Sequence, residues 1–563
     1  MRRAALLTAA ALVGLIAIGA ALRLVGIGYL LPEVMNRDGM VLVRQVEILR
    51  GGPATPENDP WHWGFYPHVL ARIAALLPRE TSEPSGPASL QEHLALASAP
   101  WIRIRTVSAL LSLLLVPATY RLGRRFLDRG GALFAAALVA TSLHDIVLAV
   151  QEKPHATAAS FIAIALVAAT SLRRKPDVRS YLVAGVAAGL ALGSLQTGAA
   201  CLFALAAAFL LRRKEAARGT SWAWILATVA IVAASARLFY PFFFRAAPGT
   251  VRAAESTTSV GGFAHMLAEG FGSARIGKIL GALFGLDPLV LAGAALGAVL
   301  WAIELARSKE RRLASSRGDL PVLLAFVAPY LVVLLCFRET LVRFCLPLLP
   351  LLALAAGYAF RRATARLSSG ASVAFALLLL AIPAWPALHF ARIRTRPSPL
   401  AEAARWVEAN VPRDETVVVV PHYDLPLLLA EDSIASNARN SEETIWSAYL
   451  SRVPPETLIG ERRRVLVEPG ERPASREALR DDPVAYLRAA GAKTIVFDLS
   501  GWPSGMLADR LDLAARISPA ADDDGKSRGV VLWGTGYDPL RPSAARILGL
   551  RSVGTAIEIY RLR

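Results

Sequence analysis

Residues 156–175 read ATAASFIAIALVAATSLRRK, an apolar run closed at once by Arg173-Arg174-Lys175. A helix that crosses the hydrocarbon of a bilayer needs roughly 20 such residues. Outward from this stretch the pattern repeats in both directions. Basic clusters fall at Arg2-Arg3, at Arg121, Arg124, Arg125 and Arg129, at Arg212-Arg213-Lys214, from Arg307 through Arg317, and at Arg361-Arg362, after every second apolar run. Basic residues collect in the cytosolic loops of multi-spanning proteins, so these clusters set sidedness. The runs 4–21, 107–120, 132–143, 156–171, 181–195, 199–211, 222–239, 289–305, 321–336, 346–360 and 371–390 predict a polytopic α-helical membrane protein of about eleven transmembrane helices.

Composition agrees. The 563 residues are 54% hydrophobic, with mean hydropathy +0.44, which few soluble domains reach. The net charge of +18 does not imply a nucleic-acid partner, because most of the excess sits in cytosolic turns that face anionic lipid. The three cysteines, Cys201, Cys336 and Cys345, lie in or beside apolar runs, with neither disulfide-framework nor metal-knuckle spacing. The first twenty residues have features of a signal peptide, but the apolar run is long for a signal core and ten more follow. An uncleaved first helix is expected.

With Arg2-Arg3 inside, the N-terminus is cytosolic and the first long loop, residues 23–100, is external. It contains two amphipathic stretches, 40–49 and 66–77, expected as interfacial helices. Residues 1–390 read as the membrane domain. The last apolar helix exits outward, which makes 391–563 an extracytoplasmic soluble domain. Helix-then-strand patterns at 399–410 with 416–420, at 483–490 with 494–497, and a terminal strand 556–561 make it α/β. The sequence 522–526, Asp-Asp-Asp-Gly-Lys, reads as a solvated loop.

Three groups of residues can carry chemistry. Asp38, in Asn36-Arg37-Asp38-Gly39, opens the first amphipathic helix; it serves either as an N-cap or as a base at the membrane surface. Between two apolar helices, residues 144–155 hold His144, Asp145, Glu152, Lys153 and His155. Such groups at bilayer depth face a cavity or one another, or else snorkel to water. A divalent-cation site could be drawn from these histidines and carboxylates, though the spacing matches no recognised ligand pattern. Arg338 and Arg343 stand on the external side against the positive-inside trend. They suit an anionic ligand such as a lipid-linked phosphate, or one of them pairs with Glu339.

The order of these parts resembles the GT-C fold membrane glycosyltransferases of bacteria, of the protein-mannosyltransferase and aminoarabinose-transferase kind (glycosyltransferase family 39 and its relatives). The resemblance rests on Asn36-Arg37-Asp38-Gly39, on the following helix with Arg50-Gly51-Gly52, and on 61–77. It extends to 103–110 with Tyr120-Arg121-Leu122-Gly123-Arg124-Arg125, to Arg343-Phe344-Cys345-Leu346-Pro347-Leu348-Leu349-Pro350, and to 395–411. The chain departs from the family pattern at Gly39, where a second acid is common, at Glu152-Lys153-Pro154-His155, and at Gln196, where many relatives have lysine. The resemblance implies an inner-membrane enzyme that transfers a sugar from a polyprenyl-phosphate donor to an extracytoplasmic acceptor (a lipid, glycan or protein). Asp38 would be the base, with Arg343, Arg338 and Lys153 at the donor phosphate. Glu152, His155, His144 and Asp145 would serve acceptor or metal. No cofactor is implied beyond a possible divalent cation. The short cytosolic turns leave no domain for a nucleotide-sugar donor. A lipid-linked-sugar flippase and a non-catalytic envelope scaffold are the other readings of the same features. No inverted repeat of the transporter kind is visible.

Overall fold

The computed structural model describes residues 2–31, 37–52, 69–78, 90–211, 222–240, 273–307, 319–336, 342–420, 425–433, 455–466, 478–499, 505–520, 529–530 and 543–563. The sequence 522–526 lies outside them. Two compact units emerge. One comprises 1–24, 41–78 and 104–388; the other comprises 25–40, 79–103 and 389–563.

The protein is a multi-pass helical membrane protein. In chain order its helices are α1 (Arg2–Leu24), α2 (Arg37–Leu49), α3 (Val69–Leu76), α4 (Leu90–Ser112), α5 (Leu115–Gly123), α6 (Arg129–Thr141), α7 (Leu143–Ala149), α8 (His155–Arg174), α9 (Val178–Ser194), α10 (Cys201–Leu210), α11 (Trp222–Phe239), α12 (Ser273–Leu286), α13 (Pro288–Arg307), α14 (Leu320–Cys336), α15 (Leu349–Thr364) and α16 (Ser369–Ile393). Among the described residues, six segments are long and apolar enough to cross a bilayer, or eight if two bent pairs each count as one. The pairs are α6 with α7, bent by 46°, and α12 with α13, bent by 118°. Shorter apolar helices lie at Val178–Ser194, Gln196–Leu210 and Leu320–Cys336.

Burial sorts these helices by role. The span in α8 is 83% buried, whereas those in α1 and α11 are each 11% buried and that in α16 is 17% buried. An apolar surface that protein leaves open must meet lipid tails, so the open faces of α1, α11 and α16 are lipid-facing and α8 is an interior helix. Small residues set the packing distance. A Cβ on Gly297 of α13 would fall 1.9 Å from the Ala355 carbonyl oxygen of α15, so glycine there lets two backbones touch. Phe134 of α6 stacks on Phe360 of α15 at 4.2 Å.

Turn residues cap the starts of two helices. Asp128 accepts from the Gly131 amide at 2.8 Å, and Asp177 accepts from the Ser180 amide at 2.9 Å. The amphipathic stretches fold as α2 and α3. Their apolar faces, with Leu42, Val43 and Val46 on one and Val69, Leu70 and Ala74 on the other, are buried against protein. Arg50 donates to the carbonyls of Ala74 and Ala75, each at 3.1 Å, and so closes the C-terminus of α3.

The second unit contains an α/β sheet. Helix α17 (Pro399–Asn410) starts at Ser398, whose hydroxyl accepts from the Ala401 amide. Strands β1 (Thr416–Val420), β2 (Arg464–Leu466), β3 (Ala492–Asp498), β4 (Asp512–Ile517) and β7 (Ile557–Arg561) pair in the order β2-β1-β3-β7-β4. Two short strands between them, β5 (Gly529–Val530) and β6 (Gly554–Thr555), form a separate pair. The first three strands of the large sheet run parallel, and β7 is antiparallel to both its neighbours. Fully buried Val418, Ile495, Phe497 and Tyr560 make its core with Leu487 of a short helix, Pro483–Ala489, that precedes β3. In the same unit Gly26 has φ +66°, and a Cβ there would lie 2.8 Å from Arg394. Only glycine meets both conditions.

Candidate active site

The candidate site grows from the break between α6 and α7. Ser142 ends one helix and caps the next, its hydroxyl accepting from the Asp145 amide at 3.2 Å. Of the two readings of segment 144–155, groups that face a cavity or one another and groups that snorkel to water, the structure supports the first. The segment is a buried helix, α7, followed by a tight turn that leads into α8. His144, Asp145, Glu152, Lys153 and His155 are each at most 6% exposed. The two carboxylates are met by arginines inside the protein, and none of the five side chains snorkels to water.

Each carboxylate has an arginine. Arg23, at the end of α1, donates to Asp145 at 2.5 Å, with neither side chain exposed. The same guanidinium reaches Ser112 Oγ and the carbonyls of Gly19 and Ala140. Arg105 of α4 donates to Glu152 Oε1 at 2.5 Å. A charge at this depth is tolerated only when paired and hydrogen-bonded, and both pairs meet that condition. Their chemical consequence is that both carboxylates are held in fixed positions as acceptors from a guanidinium.

Arg343 lies on the 3₁₀ turn Val342–Leu348, which packs against α8. Both carbonyls flanking it are held. His144 Nε2 donates to the Val342 oxygen at 3.0 Å, which fixes the ring as the Nε2–H tautomer if neutral. The Tyr330 hydroxyl donates to the Phe344 oxygen at 2.8 Å. His155 meets the Phe344 ring edge-on at 5.3 Å, and the Arg343 guanidinium stands 5.5 Å from that ring's centre. The structure therefore gathers His144, His155 and the Arg343 segment, with Glu152 and Lys153 in the adjoining turn. Asp38 lies in α2, and its side chain is outside the described ones. Arg338 and Glu339 also lie outside the described residues. No group of three or more His, Cys, Asp or Glu gathers as metal ligands would among the described residues.

Sequence reasoning missed Arg23 and Arg105 as partners, and it missed Asp287 altogether. Asp287 stands at the break between α12 and α13, is 2% exposed, and accepts from Ser142 Oγ at 2.5 Å and the Leu143 amide at 3.0 Å. The available signal was an acid between two apolar runs, beside Pro288.

The sequence profile of the dolichyl-phosphate-mannose-protein mannosyltransferase family matches residues 84–240. The resemblance to membrane glycosyltransferases is thus borne out over the stretch that includes Arg105, α7 and the 150–155 turn. No curated protein matches the chain. Among solved structures, an oligosaccharyltransferase of Archaeoglobus fulgidus in the apo form is similar at 14% identity and TM-score 0.45, over 88% of this chain and 70% of that one. ArnT from Cupriavidus metallidurans bound to undecaprenyl phosphate is similar at 14% identity and TM-score 0.41, over 91% and 96%. The arabinofuranosyltransferase AftD from Mycobacteria is similar at 16% identity and TM-score 0.40, over 97% and 40%.

Proposed function

We propose that the chain is a membrane glycosyltransferase of the GT-C kind, which transfers a sugar from a polyprenyl-phosphate donor to an acceptor on the extracytoplasmic face. The observation that carries this reading is the family match over 84–240, because that stretch holds the buried turn onto which the Arg343 segment is clamped. The family's description pairs a lipid-phosphate sugar with a transferase, which supports the donor class.

In this reading Asp38 takes the proton of an acceptor hydroxyl. The acceptor oxygen forms a bond to the anomeric carbon from the face opposite the phosphate. The bond between that carbon and the phosphate oxygen breaks, and its electron pair leaves with the lipid phosphate. Such a leaving group needs positive charge more than it needs a proton. Arg343, with Arg338 and Lys153, supplies that charge. Glu152 and Asp145 act through the arginines they hold, His144 fixes the Val342 carbonyl, and His155 packs on the Phe344 ring.

The test is transfer by purified protein in lipid nanodiscs, with a labelled polyprenyl-phosphate sugar. Asp38→Asn is expected to lose roughly 10²- to 10⁴-fold in transfer while still binding donor. Unchanged transfer would remove Asp38 as base. Movement of intact donor across the bilayer without transfer would instead favour a flippase.

A further inference from the structure

We propose that Asp287 is a positioning residue for the donor phosphate, locking two bent helix pairs together at their breaks and fixing Arg343 through His144 and Val342. The inference rests on the assignment of Arg343 to that phosphate.

A break in a membrane helix leaves backbone donors with no water to satisfy them. Here two breaks meet. At one, between α6 and α7, the Leu143 amide has lost its helical partner; at the other, between α12 and α13, Asp287 is buried. The Asp287 main-chain carbonyl begins its own helix by accepting from the Leu291 amide at 3.1 Å. Its carboxylate does something else. It crosses to the other break and accepts from Leu143 N and Ser142 Oγ. An acid that close to a bilayer interior is costly to keep unless its bonds are needed.

The next residue after Leu143 is His144, whose ring holds the Val342 carbonyl. Tyr330 holds the Phe344 carbonyl on the other side. Arg343 sits between two anchored peptide groups, and one of those anchors depends on the orientation of α7. Loss of the Asp287 contacts frees α7 to turn, and His144 turns with it. An error of about 1 Å in a binding group can cost on the order of a hundredfold.

The experiment measures binding of a polyprenyl phosphate to the full chain in nanodiscs, by native mass spectrometry. Asp287→Ala is expected to weaken binding by about ten- to a hundredfold. Asp287→Asn should restore most of it, since its carbonyl can accept from Leu143 N and its amide can donate to Ser142 Oγ. The double variant Asp287→Ala/Arg343→Gln should bind no more weakly than Arg343→Gln alone. If Asp287→Ala does not fold, Ser142→Ala, which removes one of the two contacts, should give a smaller loss with the same non-additivity. Additive losses, or parent-like binding by folded Asp287→Ala, would overturn the positioning role while leaving the phosphate assignment standing. Parent-like binding by Arg343→Gln would overturn that assignment, and the positioning role with it.

Discussion

The two ends of α8 use the same kinds of side chain differently. Its 20 residues span about 30 Å. At the N-terminal end Asp145 pairs with Arg23 and Glu152 with Arg105, one to one, with no more than 2% exposure on any of the four side chains. At the C-terminal end Arg173 and Arg174 share the single carboxylate of Asp319, and Arg174 is 37% exposed. Arg125 stands beside them, bonded to Ser171; burial and then the Arg174 charge push its guanidinium below the usual arginine range. A dry one-to-one pair cannot lose a member without stranding a charge. A cluster in which two arginines share one buried carboxylate can lose the exposed one, Arg174, because Arg173 still holds Asp319 and water replaces what is removed. The first arrangement is a fixed frame for a site. The second tolerates the loss of its exposed member.

The sharpest way to break this contrast is Asp145→Leu. It removes the carboxylate from a fully buried guanidinium and is expected to destabilise the fold by about 3–5 kcal/mol, read by thermal unfolding in detergent. Arg23→Met added to Asp145→Leu should recover most of that loss, because a buried pair replaced by apolar groups is often close to neutral. Failure to recover would show that Arg23 is needed for its contacts to Ser112, Gly19 and Ala140. At the other end, Arg174→Gln leaves Arg173 on Asp319 and should cost at most about 1 kcal/mol. An equal loss at both ends would remove the distinction.

The smallest effect is expected just beyond that end, at Asp177. Hydrogen bonds from Ser180, with help from Lys175, hold its carboxyl down at about 2, below the ordinary 3.8. The folded value is the lower one, so the folded state binds this proton less readily than the unfolded state. Its stabilisation is complete above pH 3.8 and is lost as pH falls through 2. Asp177→Ala should cost about 0.5 kcal/mol at neutral pH, the low end for a helix cap, and flatten the acid limb of the stability curve.

Much of this fold is legible because its signals are local. The apolar runs found α1, α8, α11 and α16 to within a few residues, and helix-then-strand periodicity found β1, β3 and β7. Strand β2, which begins with Arg464, and β4, Asp512-Leu-Ala-Ala-Arg-Ile, lack alternation and take their places from neighbours already in the sheet. The candidate site divides in the same way. Its charged residues stand out between apolar helices, but their partners do not. Asp145 meets a residue 122 positions away, Leu143 one 144 away and His144 one 198 away. Spacing cannot reveal such pairs, because they exist only once the helices pack. For residues 144–155 the sequence offered two readings, groups that face a cavity or one another and groups that snorkel to water; burial decides for the first, through partners that spacing could not name.

Strand β7 lies between β3 and β4, although it follows both in the chain. During synthesis β3 therefore keeps one edge unpaired while β4 and everything up to residue 556 are made. An open edge of buried-type residues, such as Ile495 and Phe497, invites pairing with another chain. The sheet cannot grow strand by strand; its completion is a single late event, closed by a zipper of five residues. Premature stops before residue 557 should thus yield aggregation and not a smaller folded domain.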